Sequence, residues 1–172
     1  EDEAALVSFS DEITLKAPLS SDRSRVRFGL LTLGARGATS AYDALFAALL
    51  MPRSATRTLV IPFSDGEDNM SWLGEKQLRG AIERSNALIH VVAAPSENFQ
   101  SGFARTQRAP ESAHVKTLRG LAAITGGSLI EVESPDRIGA AFSQIIEQMK
   151  DRYVLRYTPE SDPSPGWHAL DL

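Results

Sequence analysis

The chain contains no cysteine. A disulfide framework, thiol catalysis and zinc–thiolate sites are therefore excluded, while the compartment stays open because many exported proteins also lack cysteine. No apolar run approaches the length of a membrane-spanning helix. No run of basic residues is visible, lysine is scarce beside arginine, and the formal net charge is −4. Non-specific attraction to nucleic acid or to an anionic membrane is not expected from that balance. No signal peptide is seen, and the first residue is Glu1, so the N-terminus reads as a cut. Gly-x-Gly-x-x-Gly, Gly-x-Ser-x-Gly and His-Glu-x-x-His are all missing, which removes the commonest nucleotide, hydrolase and zinc-protease signatures. The stretch from Gly34 to Ser40 lacks the lysine of a phosphate-binding loop.

What is present is an ordinary globular composition over 172 residues, 42% hydrophobic and 23% charged, enough for one domain with a single core. Strand and helix signals alternate. Ala4–Phe9 and Ile13–Leu15 flank a turn and read as a hairpin. Asp22 caps a helix carrying Val26, Leu30 and Leu33 that Gly34 stops. A second helix runs from Tyr42 to Met51 and ends at Pro52. Thr58–Phe63 reads as a buried strand, although Pro62 removes one ladder donor from it. Helices near 75–86, 115–125 and 136–150 alternate with strands Ala87–Val92 and Ser128–Val132, and Arg152–Thr158 closes the series. Pro95–Pro110 reads as a long surface loop. The pattern predicts an α/β fold of three layers, a doubly wound, mostly parallel sheet with helices on both faces. Residues 1–158 form the domain in this reading, and 159–172 a Pro-rich linker with the start of a further strand.

In such sheets function collects at the carboxyl ends of the strands. Two loops there have unusual chemistry. Gly34 to Asp43 combines small residues with the hydroxyls of Thr39 and Ser40, and Phe63 to Asn69 places Asp65, Glu67 and Asp68 just after a buried strand. Hydroxyl and carboxylate oxygens together suit a hard cation such as Mg²⁺. A helix cap and an acidic turn would leave the same composition. Asp43 reads either as a group behind Thr39 or as an early-helix carboxylate favoured by the dipole. Glu67 and Asp68 read as outer-sphere ligands or as solvated turn residues. Trp72 reads as a contact residue on a binding face or as a packing anchor at a helix start. His90, inside an apolar strand, reads as a satisfied core histidine.

In order along the chain, Phe9-Ser10-Asp11, Gly37-Ala38-Thr39-Ser40-Ala41-Tyr42-Asp43-Ala44-Leu45, Ser64-Asp65-Gly66-Glu67-Asp68-Asn69, Thr125-Gly126-Gly127 and Arg152-Tyr153-Val154-Leu155-Arg156-Tyr157-Thr158-Pro159 resemble von Willebrand factor A-type domains. The details look like the bacterial branch abundant in acidobacteria, and the resemblance covers nearly the whole chain. It implies a metal-ion-dependent adhesion site at the top of the sheet, in which Thr39 matches the second-loop threonine and Asp65 the third-loop aspartate. Ser40, Asp43, Ser64, Glu67 and Asp68 would stand around them, with Trp72 toward a partner.

The family's Asp-x-Ser-x-Ser loop matches nothing in this sequence and would lie before Glu1. Its strand would sit centrally, between Ala4–Phe9 and Thr58–Phe63. Two expectations follow. Mg²⁺, Mn²⁺ or Ca²⁺ should bind this chain weakly or not at all, since Thr39 and Asp65 are too few ligands to compete with hydration. The hairpin should also dock loosely or recruit a strand from elsewhere rather than pair directly with Thr58–Phe63.

The function expected is a protein-interaction or adhesion module, not an enzyme, whose intact parent holds Mg²⁺ completed by a carboxylate of a protein partner. No nucleic-acid partner is expected, and the location implied by this branch is secreted or extracytoplasmic. A metal-independent interaction or structural domain is the alternative, and an α/β enzyme with an unrecognised site a third.

Overall fold

The structure, a computed structural model, describes residues 2–34, 37–51, 58–65, 67–94 and 112–150. The expected strand Arg152–Thr158, the linker 159–172 and the loop Pro95–Pro110 lie outside these residues.

The elements follow the alternation expected from the sequence. In chain order they are β1 (Ala4–Phe9), β2 (Ile13–Ser20), α1 (Arg23–Leu31), α2 (Ala41–Leu50), β3 (Thr58–Val60), β4 (Phe63–Ser64), α3 (Glu75–Glu83), β5 (Ala87–Ile89), β6 (Val91–Ala93), α4 (Ala113–Ile124), β7 (Leu129–Glu131) and α5 (Ile138–Lys150). A 3-10 turn at Pro135–Arg137 leads into α5. Asp22 caps α1, its carboxylate accepting from the Ser24 amide. Ser112 caps α4 by accepting from Val115 N–H.

Thr58–Phe63 and Ala87–Val92 were each expected as one unbroken strand, and each is divided in two. The cause is Pro62. β3 pairs with β5 in parallel, Thr58 opposite Ala87, and β4 pairs with β6 in parallel, Phe63 opposite Val92, so the register is the same on both sides of the break. The carbonyls of Val60, Pro62 and Ser64 accept in turn from His90, Val92 and Ala94. One side of the ladder is thus continuous. On the other, Pro62 has no N–H to give, and pairing lapses for one step without loss of register.

β7 extends the sheet as a parallel neighbour of β6, with Val91 opposite Leu129. The strands expected to be parallel among themselves are so. Strand alternation then separates two cores. Ala87, Ile89, Val91 and Ala93 point to one face, where Leu45, Leu78, Ile82, Leu118 and Leu121 of α2, α3 and α4 cover them. Val92 and Ala94 point to the other, against Ala141 and Ile145 of α5. Helices on both faces of a parallel sheet make the three-layer arrangement.

β1 and β2 form a separate antiparallel pair, Phe9 opposite Ile13 and Ala4 opposite Ser20, with two irregularities near Leu6. Direct pairing of the hairpin with Thr58–Val60 is not found among the described residues. β1 instead packs against α1 and α2. One hydrogen bond fixes its carboxyl end: the buried Ser40 hydroxyl donates to the Ser10 carbonyl at 2.6 Å.

α4 ends in a Schellman arrangement. Gly126 has φ 73°, its N–H donates to the Ala123 carbonyl, and Gly127 N–H donates to the Ala122 carbonyl. The motif also joins helix to sheet. Thr125 Oγ1 accepts from Ile89 N–H at 2.9 Å and donates to the Ala122 carbonyl. Gly127 lies so close to β5 that a Cβ there would overlap the Ile89 carbonyl. We therefore expect Gly127→Ala to cost about 3 kcal/mol, because helix and strand must separate to admit one methyl. Denaturant unfolding measures this, and a loss below about 1 kcal/mol would contradict the close approach.

Candidate functional site

Three segments meet at the carboxyl end of the parallel strands: Ser10 after β1, Thr39–Asp43 entering α2, and Asp65 with Glu67–Leu73 between β4 and α3. Backbone bonds seam the last two together. Thr39 N–H donates to Asn69 Oδ1 at 2.8 Å, while the Asn69 and Met70 amides both donate to the Thr39 carbonyl at 3.0 Å. The loops carrying Thr39 and Asp65 thus share one end of the sheet.

The entry to α2 leaves amides that the helix itself cannot satisfy. Ser40 occupies the N-cap position but does not cap, because its hydroxyl is turned to Ser10. The missing acceptors come from the other loop. Tyr42 N–H donates to Asp68 Oδ2 at 2.8 Å, and both Tyr42 and Asp43 amides reach Ser71 Oγ at 3.1 Å. Asp68 holds that serine in place, accepting from its hydroxyl at 2.7 Å and from its amide at 3.2 Å. A carboxylate at a helix N-terminus also gains from the dipole.

Asp43 returns the favour. Its two oxygens accept from Trp72 N–H (2.9 Å) and Leu73 N–H (3.0 Å), the residues that run into α3. The second of the two roles open to Asp43 from sequence, the early-helix carboxylate, is the one observed. It is an early-helix carboxylate whose acceptor capacity serves the neighbouring loop. Asp68 is not a freely solvated turn residue, since both its oxygens accept hydrogen bonds.

Asp65 Oδ1 accepts from Glu67 N–H at 3.1 Å, a local turn, and Glu67 is exposed. Ser64 is buried at the end of β4. Trp72 is 95% exposed, so it is not a packing anchor. Its backbone is pinned by Asp43 while its ring stands in solvent, with the exposed Met70 two residues away. Tyr42 lies beneath the site in the core, and burial pushes its phenol pKa up. His90 is buried in the core, its Nδ1 accepting from the Ser128 amide at 3.2 Å and meeting the Ser128 hydroxyl at 3.0 Å.

The donor set fits a cation poorly. Among the described residues no three His, Cys, Asp or Glu side chains converge in a way that could hold a metal. Asp43 and Asp68 spend their oxygens on amides and a hydroxyl, which leaves Thr39 and Asp65 as the donors that the resemblance named. Asn69 and Ser71 were not singled out in the sequence. Their signal is the short polar side chain inside a turn, which bonds nearby backbone, but nothing local shows that the backbone they serve is thirty residues away.

No family model matches this sequence, and no curated protein matches it. Solved structures do. The conserved hypothetical protein BatB from Bacteroides thetaiotaomicron superposes with a TM-score of 0.63 at 18% identity, covering 88% of this chain and 80% of that one. An aerotolerance-related membrane protein from Bacteroides fragilis gives 0.61 at 18% identity over 87% and 81%. A von Willebrand factor type A structure from Catenulispora acidiphila gives 0.59 at 19% identity over 84% of this chain and 33% of that one. The chain has a von Willebrand factor A-type fold.

The reciprocal clamp has a measurable weight. Each carboxylate supplies charged hydrogen bonds at a helix entry, so Asp43→Ala and Asp68→Ala should each lower unfolding free energy by about 2 kcal/mol. Hydrogen exchange should localise the first effect to the Trp72 and Leu73 amides and the second to Tyr42. Unchanged protection at those amides would mean that the clamp does not order the loops.

Proposed function

We propose that the chain is a protein-interaction module that binds its partner through the loop face at the carboxyl end of its sheet, with Trp72 as the anchor. The observation that carries this is a tryptophan ring 95% exposed on a backbone held by two carboxylate–amide bonds. Exposing so large an apolar ring is unfavourable unless something covers it, and tryptophan is the residue most enriched among binding hot spots. Fixing the loop beforehand reduces the ordering cost of association. The A-type fold of the structural neighbours is consistent with an interaction module.

The reading is one of binding rather than catalysis. The Ser128–His90 pair superficially suggests a nucleophile and base, but His90 is buried and its Nδ1 faces the Ser128 amide. A base must reach the proton it removes from a substrate. The cation-bridged mode implied by the resemblance needs donors that the described residues do not assemble, and the proposed mode does not use one. A metal-independent face is thus the reading the clamp favours. An extracytoplasmic location is adopted with it; one structural neighbour is described as a membrane protein, and no described helix is long and apolar enough to cross a membrane.

Affinity capture with the full chain and with Trp72→Ala, compared quantitatively, tests the anchor. Proteins retained by the first should be depleted about tenfold or more with the second, as expected on losing a hot-spot residue. An identical retained set would sink the proposal. Titration calorimetry with Mg²⁺ tests the metal question separately: dissociation constants should be weaker than about 1 mM, for want of a sufficient oxygen cage. Micromolar binding would show that the loops assemble a site after all.

A further inference from the structure

We infer that the outer edge of β3 and β4 is a strand-addition site, which takes an extended apolar segment of another polypeptide as a further strand of the sheet. The inference rests on the direction in which the backbone groups of Leu59, Ile61 and Phe63 point and on how incompletely their side chains are covered.

Along a strand the N–H and C=O of one residue point to the same side, and the side alternates from residue to residue. The carbonyls of Val60, Pro62 and Ser64 accept from His90, Val92 and Ala94, so these three residues face β5 and β6. The backbone groups of Leu59, Ile61 and Phe63 therefore face the other way. Among the described residues β3 pairs with β5 alone and β4 with β6 alone, so no described strand runs along that outer edge. Ile61, between the two strands, exchanges no backbone hydrogen bond with any described residue.

Native edges are commonly blunted by a charge, a proline or a bulge. The run Thr58-Leu59-Val60-Ile61-Pro62-Phe63 carries no charge. Its proline gives no protection, because the N–H that Pro62 lacks belongs to the β6 side. The register is the same in β3 and β4, so the free donors and acceptors at Leu59, Ile61 and Phe63 form one line.

Burial points the same way. In β6, which has a neighbour on each side, Val91, Val92 and Ala93 are 0% exposed. Leu59, Val60 and Ile61 are only half-buried, and Phe63 is 42% exposed. Leu59 and Ile61 pack toward the core under α5 and Val60 toward the core under α2, so an added strand would meet apolar surface on both of its faces.

The chemistry selects the occupant. A row of unpaired donors and acceptors is met by another extended backbone, whereas a helix has satisfied its own. Apolar surroundings on both faces call for a run of about five apolar or β-branched residues, the usual length of one strand. A second copy pairing edge to edge is a poorer match. α2 packs against both β3 and β1, so each copy would bring its own helix and hairpin against those of the other. A single strand carries no such bulk. The inference does not depend on Trp72 or on the partner proposed for it.

The direct test adds to the full chain a valine-rich synthetic peptide about one strand in length, with lysine at each end for solubility. Hydrogen exchange should slow about tenfold or more at the Leu59, Ile61 and Phe63 amides, and change little at Val60, which faces β5. The same peptide N-methylated throughout keeps its side chains but loses its donors, and its affinity should fall by about tenfold or more. Phe63→Lys, which charges the edge at an exposed position, should weaken binding several-fold, with thermal melts to check that the variant folds. Amides of Leu59, Ile61 and Phe63 already protected in the free chain, no slowing with the peptide at about 1 mM, or equal binding of the N-methylated peptide would each overturn the inference. So would a concentration-dependent dimer in sedimentation velocity that Phe63→Lys abolishes, which would assign the edge to a second copy.

Discussion

Two aspartates exchange places at the top of this molecule. Asp68 accepts from the Tyr42 amide at the entry of α2, and Asp43, from the first turn of α2, satisfies the amides that lead into α3. Helix entries are points where backbone donors outnumber acceptors, and burial makes an unmet donor costly. Satisfying each entry from the other segment couples two elements that share no strand. The position of the Trp72 backbone follows from the Asp43 half of that exchange. It also explains why Ser40, at the N-cap position, is free to hold the hairpin through Ser10.

The same exchange bears on cation chemistry. A carboxylate that already accepts from amides has fewer lone pairs left to offer a cation. Among the described residues Asp43 and Asp68 accept hydrogen bonds that hold the two loops to each other. On the proposed reading the contact falls on the exposed Trp72.

The sheet beneath tolerates a defect that would be more serious elsewhere. Pro62 interrupts one side of the ladder between β3 and β4, while alternate carbonyls continue to accept from His90, Val92 and Ala94. Constant register on both sides of the gap keeps the two faces of the sheet correctly sorted. Thr125-Gly126-Gly127 then locks α4 to β5 through a hydroxyl, a left-handed residue and a contact that only glycine permits. These motifs contributed to the family resemblance, and their conformations give it a physical basis.

Period and punctuation in the sequence were enough to place the elements. Alternation in Ala87–Val92, helical spacing of Leu78 and Ile82, the Asp22 cap and the Gly126-Gly127 stop depend on neighbours a few residues away, and such local preferences survive in the fold. They were also enough to put Thr39 and Asp65 at one end of a parallel sheet, because chain order and handed crossovers leave few other topologies. Tertiary structure alone decided what the carboxylates do. Whether Asp43 faces a cation, solvent or the amides of Trp72 and Leu73 depends on a segment thirty residues distant, which no local pattern encodes. It alone decided, too, that α1 buries Gly29 and leaves Phe28 and Leu31 outside. Hydrophobicity says that a side chain prefers cover, whereas the shape of the neighbouring hairpin determines which one receives it.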